Sequence, residues 1–348
     1  MITNRGGFSR ISQDENGNIK DDSMDDFECC GSKKCCNMYP FELINIIAAL
    51  AHLVSFVIMI IIYVDLDVTP YQYTETFILW NRAINGTCPD AGCNNISILL
   101  NTTNDGQFCI GPETSVIEDS SVDVGLLIIF FHVLSFVFQG AAGLTQCCQN
   151  GFLGFKYVEE IRKGRNLLRF VEYAFSASIM LVAIAFLNGV TDINLVASIC
   201  VLTAATQLCG LVAEFLFGRS YEEQQDIYFY FGLVSHVTAW MQFFCAYGVI
   251  FHAFLRSATN DPDIRPPDFV YWIVWIIFCL YGVFGAVQLT EIFCYRFSCD
   301  LFKDNKYVRV KNRCNYQCKE MSYVILSLGS KLFLGWMIFS SVLFRSED

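Results

Sequence analysis

Seven apolar runs constrain this chain most, because each is about as long as an α-helix must be to cross a lipid bilayer. Polar segments separate these runs, which cover residues 41–64, 124–143, 166–187, 194–217, 227–254, 269–293 and 321–344. With 54% hydrophobic and 16% charged residues, the chain is too apolar for an ordinary soluble protein of 348 residues. The sequence therefore predicts an all-α membrane protein, with a bundle of seven transmembrane helices over residues 38–344.

The distribution of Lys and Arg predicts how the bundle is oriented. If the N-terminus is cytosolic, 17 of the 23 basic residues flank the helices on that side and four lie on the other. Cytosolic segments of membrane proteins carry such an excess of basic residues. We therefore expect a cytosolic N-terminus and an extracellular or lumenal C-terminus.

The loop over residues 65–123 joins the first two predicted helices and would lie outside. It carries three N-glycosylation signals, at Asn85, Asn95 and Asn101, which indicate a eukaryotic secretory route. We thus expect a multi-pass protein in the plasma membrane or endomembrane of a eukaryotic cell, or of a virus that infects one. The segment YQYTETFILW in this loop alternates in part and is rich in aromatic residues, which predicts a strand or β-hairpin.

The chain ends are polar. Residues 1–37 form an acidic segment that is predicted to be a disordered cytosolic tail, and residues 345–348 form a short outer tail. Nothing in the charge pattern indicates nucleic-acid binding.

Cysteines fall into two groups with different expected chemistry. In the outer loop a disulfide can form between two of three residues, and the pairing is open: Cys88, Cys93 and Cys109. Before the first helix, paired cysteines suggest lipidation, which we favour over a four-sulfur metal site: Cys29, Cys30, Cys35 and Cys36. We expect no bound metal.

Two ionisable residues inside predicted helices are the main functional signal. Lys331 lies near the middle of the seventh apolar run, and Glu172 lies in the third. Arg169 precedes Glu172 by three residues, so a local ion pair that only joins helices is one interpretation. Ser176 lies one turn further along the same face. By helical rise, Glu172 lies about 9 Å and Lys331 about 15 Å from the start of its own helix. The side chain of Lys331 leans toward the N-terminus of its helix, which brings the two groups closer in depth. Lys331 and Glu172 can therefore meet if the third and seventh helices are neighbours.

A buried lysine is suited to covalent chemistry with an aldehyde. Loss of hydration lowers the pKa of a lysine amine and makes it nucleophilic. A protonated Schiff base with a long apolar aldehyde would then need a counter-ion such as Glu172. Seven helices, a lysine within the last and a carboxylate within the third match a retinal protein.

Three segments carry a more specific resemblance. RFVEYAFSAS (169–178), SLGSKLFLGW (327–336) and NIIAALAH (45–52) resemble the heliorhodopsin family. The resemblance implies all-trans retinal bound covalently to Lys331, Glu172 as counter-ion, and photoisomerisation followed by Schiff-base deprotonation. It also implies the inverted orientation, a homodimer, light sensing without net ion pumping, and no enzymatic activity. A cytosolic signalling partner would be of unknown identity.

Departures from ordinary microbial rhodopsins agree with a non-pumping protein. Those proteins carry Asp one turn before the lysine, where this chain has Ser327. In pumps the third helix also carries a carboxylate proton donor about three turns after the counter-ion, where this chain has Ala183. Glu172 would therefore be the counter-ion, and the pair of carboxylates that accepts and donates the proton in a pump is not apparent in this sequence.

The same resemblance also assigns a role to histidines near the Schiff base. The family implies two histidines in a polar cavity on the inner side of the Schiff base, and His52 matches the first by its spacing from Asn45. The second position is either His132 or Gln139, which share a helix face at different depths. His236 and His252 are interpreted as structural.

Two glutamates near helix ends are given other roles. Glu214 resembles a family position that ties helices to inner loops, and Glu320 is expected at a solvated helix end.

The retinal pocket is predicted from aromatic and polar residues within the helices. Each candidate also suits ordinary helix packing: Tyr173, Trp240, Thr206, Gln207, Phe284 and Gln288. Two other functions remain open from sequence. One is a light-driven or light-gated proton conductor, and the other is a receptor without retinal in which Lys331 merely pairs with Glu172.

Overall fold

The computed structural model describes residues 10–13, 19–22, 40–66, 70–82, 98–102, 106–144, 157–162, 164–223, 225–259, 268–296, 300–303, 306–309 and 316–346. Of the helices in these residues, seven are long and apolar enough to cross a membrane. They are α1 (Pro40–Val64), α2 (Val124–Gly143), α4 (Leu167–Leu187), α5 (Ile193–Glu223), α6 (Asp226–Ala258), α7 (Asp268–Arg296) and α8 (Tyr316–Ser346). The predicted seven-helix membrane fold is thus confirmed. A short helix, α3 (Tyr157–Arg162), precedes α4.

Two helices extend furthest beyond the apolar runs that predicted them. The predicted fourth run ends at residue 217, whereas α5 continues to Glu223. The predicted seventh run begins at residue 321, whereas α8 begins at Tyr316. Hydropathy marks only the lipid-facing length, but these polar helix ends include buried side chains such as Lys319 and Ser220. Packing against neighbouring helices therefore extends the helices past the apolar segments.

The core lies where α2, α4, α6, α7 and α8 meet. Large side chains such as Phe131, Leu181, Ile250 and Phe339 are fully buried there. Other apolar side chains face outward, among them Ile61, Val201 and Trp272, each more than 60% exposed. An outward apolar surface of this kind suits a lipid environment.

The loop between α1 and α2 contains a three-stranded antiparallel sheet. Its strands are β3 (Tyr71–Arg82), β4 (Ile98–Thr102) and β5 (Gly106–Val122), in the order β3–β5–β4. The segment predicted as a strand lies within β3. It pairs with β5 rather than with the next strand in sequence, in a register that sets Tyr71 opposite Val122.

Two short hairpins lie elsewhere. The strands β6 (Asp300–Lys303) and β7 (Lys306–Arg309) pair between α7 and α8. The strands β1 (Arg10–Gln13) and β2 (Ile19–Asp22) pair within the segment predicted to be disordered. That prediction followed acidic composition alone and overlooked Asn16 and Gly17, a dipeptide that favours hairpins.

Several predicted modification sites have no described side chain. Outside the described residues lie Cys29, Cys30, Cys35, Cys36, Asn85, Cys88, Cys93 and Asn95. The backbone of Asn101 lies in β4 and that of Cys109 in β5. Glycosylation, lipidation, disulfide formation and the orientation of the bundle stay predictions.

The sheet is attached to the connection between α4 and α5. The backbone amide of Thr74 donates to the carbonyl of Thr191 at 3.0 Å, and that of Thr76 donates to Oδ2 of Asp192 at 3.0 Å. The other oxygen of Asp192 accepts from the amides of Asn194 and Leu195 and so caps α5. One carboxylate therefore joins the sheet to the start of a membrane helix.

Removing this carboxylate should loosen the sheet. Burial alone would raise the pKa of Asp192, but hydrogen bonds from the amides of Leu195, Thr76 and Asn194 lower the pKa below 3.8. Its stabilisation is therefore present above the unfolded-state pKa and is lost as the pH falls through the lower folded-state pKa. We expect Asp192→Ala to cost about 1 kcal/mol, as loss of a helix cap does.

Hydrogen exchange at the amides of Thr76 and Leu195 measures this effect. Protection of these amides, corrected for the intrinsic exchange rate at each pH, should fall in Asp192→Ala, and in the wild type as the pH falls through the lowered pKa of Asp192. Asn194→Ala, an exposed neighbour, is the control and should leave both amides protected. Equal protection in Asp192→Ala and wild type would contradict the proposed attachment.

Candidate functional site

Lys331 of α8 and Glu172 of α4 meet inside the bundle. Nζ of Lys331 donates hydrogen bonds to Oε1 of Glu172 and, at 2.9 Å, to Oγ of Ser135 on α2. Lys331 and Glu172 are each only 4% exposed. A buried ammonium needs such a partner, since either charge alone would be costly in this environment. The structure thus brings together the two groups that the depth comparison placed within reach.

Arg169 does not pair with Glu172, so the local ion pair considered from sequence is not formed. Its guanidinium instead binds Glu214 of α5, with Nη2 2.7 Å from Oε2, and Glu320 of α8. Glu320 is 1% exposed, and the expectation of a solvated helix end was wrong. Spacing within one helix suggested Glu172, but two buried carboxylates on other helices take the guanidinium.

Polar residues around Arg169 tie five helices together near the start of α4. The carboxylate of Glu214 accepts from the backbone amide of Asn166 at 2.9 Å and from the Tyr316 hydroxyl at 2.7 Å. That of Glu320 accepts from Nδ2 of Asn166 at 2.5 Å and from the hydroxyl of Tyr157, which also receives a hydrogen bond from Asn45 of α1. The arrangement agrees with the role inferred for Glu214.

The charges in this cluster balance. Arg169 and Lys319 supply two cations, and Glu214 and Glu320 supply two carboxylates, with Nζ of Lys319 3.4 Å from Oε2 of Glu214. Burial, with the nearby charge of Glu320, raises the pKa of Tyr157 well above 10.0, so its hydroxyl remains a hydrogen-bond donor. We use the name arginine cluster for a set of seven residues: Arg169, Lys319, Glu214, Glu320, Tyr157, Asn166 and Tyr316.

His52 and His132 form a direct pair between α1 and α2. Their Nδ1 atoms lie 2.9 Å apart, and both side chains are fully buried. One Nδ1 must carry a proton and the other must accept it, because two protonated or two bare nitrogens could not form this hydrogen bond. The imidazole of His132 lies against Gly335 of α8, where a Cβ atom would overlap the ring.

The location of the histidine pair differs from the expectation. Because α2 and α8 are antiparallel, Ser135 meets Lys331, whereas His132 meets Gly335, one turn further along α8. The pair therefore lies on the side of the lysine toward the C-terminal end of α8, which is the outer side in the predicted orientation. Of the two candidates for the second position, His132 contacts His52.

Gln139 lines a cavity separate from the histidine pair. A small cavity on the other side of the lysine is lined by Gln139, Asn45, Glu172, Arg169 and Glu320, among others. Oε1 of Gln139 is buried and has no hydrogen-bond partner among the described residues. This cavity connects the surroundings of Glu172 with the arginine cluster.

A larger cavity extends from Lys331 between α4, α5, α6 and α7. It contains about 840 Å³ of space not filled by protein atoms, part of it open to the outside. All six residues predicted for the retinal pocket line it, together with Lys331, Ser327, Ser176 and Arg169: Tyr173, Trp240, Thr206, Gln207, Phe284 and Gln288.

The walls of this cavity suit a long apolar molecule. Tyr173 and Phe284 contact each other edge to face at 5.7 Å, and Phe243 stacks on Tyr281 at 4.6 Å. Oγ of Ser176 is buried without a partner among the described residues. Ligand sites typically combine apolar walls with a few polar groups in this way. The residues present therefore fit a retinal attached at Lys331.

Two contacts at the site were missed from sequence. Ser135 binds Lys331, and His236, which was interpreted as structural, lines the cavity. Ser135 lies three residues after His132 and four before Gln139, so one helix face carries all three. That spacing was a usable signal for Ser135.

The arginine cluster should be essential for stability. Arg169→Gln would leave Glu214 and Glu320 buried without their main cation, which typically costs about 3–5 kcal/mol. We expect a strongly lowered midpoint of thermal unfolding in detergent. The matched control is Arg219→Gln, which removes an exposed pair with Glu223 and should cost less than about 1 kcal/mol. Equal effects of the two substitutions would contradict the role of the cluster.

Comparison with known proteins gives one result. The sequence profile of the heliorhodopsin family matches residues 94–343. That range covers more than half of the chain and includes Glu172 and Lys331, whereas His52 and Asn45 precede it. No curated protein matches the chain. The chain belongs to the heliorhodopsin family and is a retinal-binding photoreceptor of the membrane.

Proposed function

We propose that retinal is bound covalently through Nζ of Lys331, all-trans in the dark, with Glu172 as its counter-ion. The observation that carries this proposal is the buried contact between Lys331 and Glu172 at the cavity. Attachment joins the Lys331 amine to the aldehyde carbon and releases one water. When bound, retinal supplies light absorption and isomerisation.

The residues around Nζ would control its positive charge. Glu172 balances that charge, and Ser135 accepts a hydrogen bond at the same nitrogen. We propose that illumination leads to loss of the proton from Nζ of Lys331. The pair of His52 and His132 is the proposed place for this proton, since one turn of α2 separates His132 from Ser135 and both Nε2 atoms are buried without partners among the described residues.

The proposal includes light sensing without net ion pumping. Ser327 and Ala183 occupy the positions at which ordinary pumps carry carboxylates, and both are buried. A proton leaving Nζ therefore meets neither of these two carboxylates. We propose that the proton returns to Lys331 instead of crossing the membrane.

A proton conductor is the second candidate, favoured by the small polar cavity between Glu172 and the arginine cluster. Such a cavity offers part of a path from the counter-ion toward one end of the bundle. Arg169 stands in this path, and its positive charge opposes the passage of a cation. We therefore favour the sensor.

The remaining parts of the proposal rest on family membership and charge distribution. We propose a homodimer, a cytosolic N-terminus and a cytosolic signalling partner. The excess of Lys and Arg on one side of the helices supports the orientation.

Removing the lysine should remove the visible pigment. We expect Lys331→Ala to show no visible band after addition of all-trans retinal, because no amine remains for attachment. Glu172→Gln should shift the band to the red, or lower the pH at which it is lost, because less negative charge stabilises the positive charge at Nζ. Glu75→Gln, in the outer sheet, should match wild type.

Absorption spectra of the purified variants check these expectations. A visible band in Lys331→Ala that hydroxylamine bleaches would show attachment elsewhere. A wild type that forms no band at all would favour a receptor without retinal.

Electrical recording separates the sensor from the conductor. In cells that express the protein and are supplied with retinal, we expect light to produce no steady photocurrent at any voltage. A light-induced current that reverses with voltage would establish the channel, and one that keeps its direction would establish the pump.

A further inference from the structure

We propose that His236 is a positioning residue that fixes the indole of Trp240 in the wall of the retinal cavity and so helps to set pigment absorption. The inference rests on the proposed function, because it takes the cavity at Lys331 to be the retinal pocket. It concerns a histidine that neither the sequence nor the family comparison assigns to the site.

Three hydrogen bonds connect α5, α6 and α7 at this wall. Nε1 of Trp240 donates to Nε2 of His236 at 3.0 Å. Nδ1 of His236 lies 3.0 Å from Oε1 of Gln288, and Nε2 of Gln288 donates to the carbonyl of Gly210 at 2.8 Å. His236 is 3% exposed and Gln288 is 7% exposed. The chain of bonds is therefore shielded from competing water.

The partners of His236 leave it a single tautomer. An indole N–H can only donate, so Nε2 of His236 must offer a lone pair to Trp240. Nδ1 must then carry the proton and donate it to Oε1 of Gln288. The amide of Gln288 is oriented in turn by Gly210, whose carbonyl can only accept. Every member of the chain has one direction, so His236 is neutral with its proton on Nδ1.

The indole also lies against α7, at ring atoms next to Nε1. A Cβ atom on Gly285 would overlap the Trp240 ring, so the ring lies directly against the helix backbone. Gly285 precedes Gln288 by three residues and shares its helix face. Trp240 also packs edge to face on Phe243 at 5.9 Å. The hydrogen bond to His236 thus fixes the indole within a space that already confines it.

This arrangement has a consequence for the ligand. The only polar atom of the Trp240 side chain is used by His236, so the indole offers the cavity apolar ring surface alone. An apolar polyene fits such a wall. Loss of the Nε2 acceptor would leave the indole N–H unpaired at the cavity wall and let the ring shift within its confined space, which should change the surroundings of the chromophore.

The tautomer can be measured before retinal is added. The chain has four histidines, so nitrogen-15 NMR of histidine-labelled protein gives few signals, and His236→Phe assigns the relevant one. We expect a protonated Nδ1 and a bare Nε2 at His236. Trp240→Phe, which removes the donor to Nε2, should weaken this preference. A protonated Nε2 in wild type would overturn the inference.

Pigment spectra test whether His236 acts through Trp240. We expect His236→Phe to shift the absorption maximum in the wild-type background, and to give no further shift in a Trp240→Phe background, where no indole N–H exists. His252→Phe, at an exposed position of the same helix, is the matched control and should leave the maximum unchanged. If His236→Phe does not fold, His236→Leu, which also lacks the Nε2 acceptor, replaces it in the same comparison.

Two spectral outcomes would overturn the inference: no shift in the wild-type background, or the same shift in both backgrounds. Failure of the proposed function is distinguishable from either. In that case wild type would form no visible band, whereas the tautomer of His236 would still be measurable.

Discussion

The contact between Lys331 and Glu172 is the constraint on which the rest of the site depends. Neither charge could be buried alone at acceptable cost, and each holds the other in place between α8 and α4. Ser135 adds a neutral partner to the same nitrogen. The arginine cluster is a second buried set of charges. Its two cations and two carboxylates balance one another without Glu172. Lys331 thus has a carboxylate partner of its own.

The surroundings of this pair divide into three regions with different chemistry. Aromatic side chains form the large cavity, where the His236–Gln288 chain holds Trp240. The histidine pair lies one turn beyond the lysine along α8, and the small polar cavity lies on the other side. A proton leaving Nζ therefore has two polar regions near it, and Arg169 stands beyond one of them. This asymmetry is why we favour retention of the proton over its transport.

Much of the fold and part of the site could be predicted from sequence, because they follow from local composition. Apolar runs located the seven helices, and helical rise placed Lys331 and Glu172 within reach. All six proposed pocket residues line the cavity. What sequence could not supply was the rotation of the helices and which of them are neighbours. A local pair of Arg169 with Glu172 therefore stayed open from sequence, although Glu214 and Glu320 bind the guanidinium, and Glu320 was wrongly expected at a solvated helix end.

Mass spectrometry after borohydride reduction tests the central claim most directly. Reduction converts a retinal–lysine link into a stable amine that survives proteolysis, so the modified peptide identifies the attachment site. We predict a retinyl group on the α8 peptide that contains Lys331 and on no other peptide. Modification of a different lysine, or bound retinal with no modified peptide, would contradict the account.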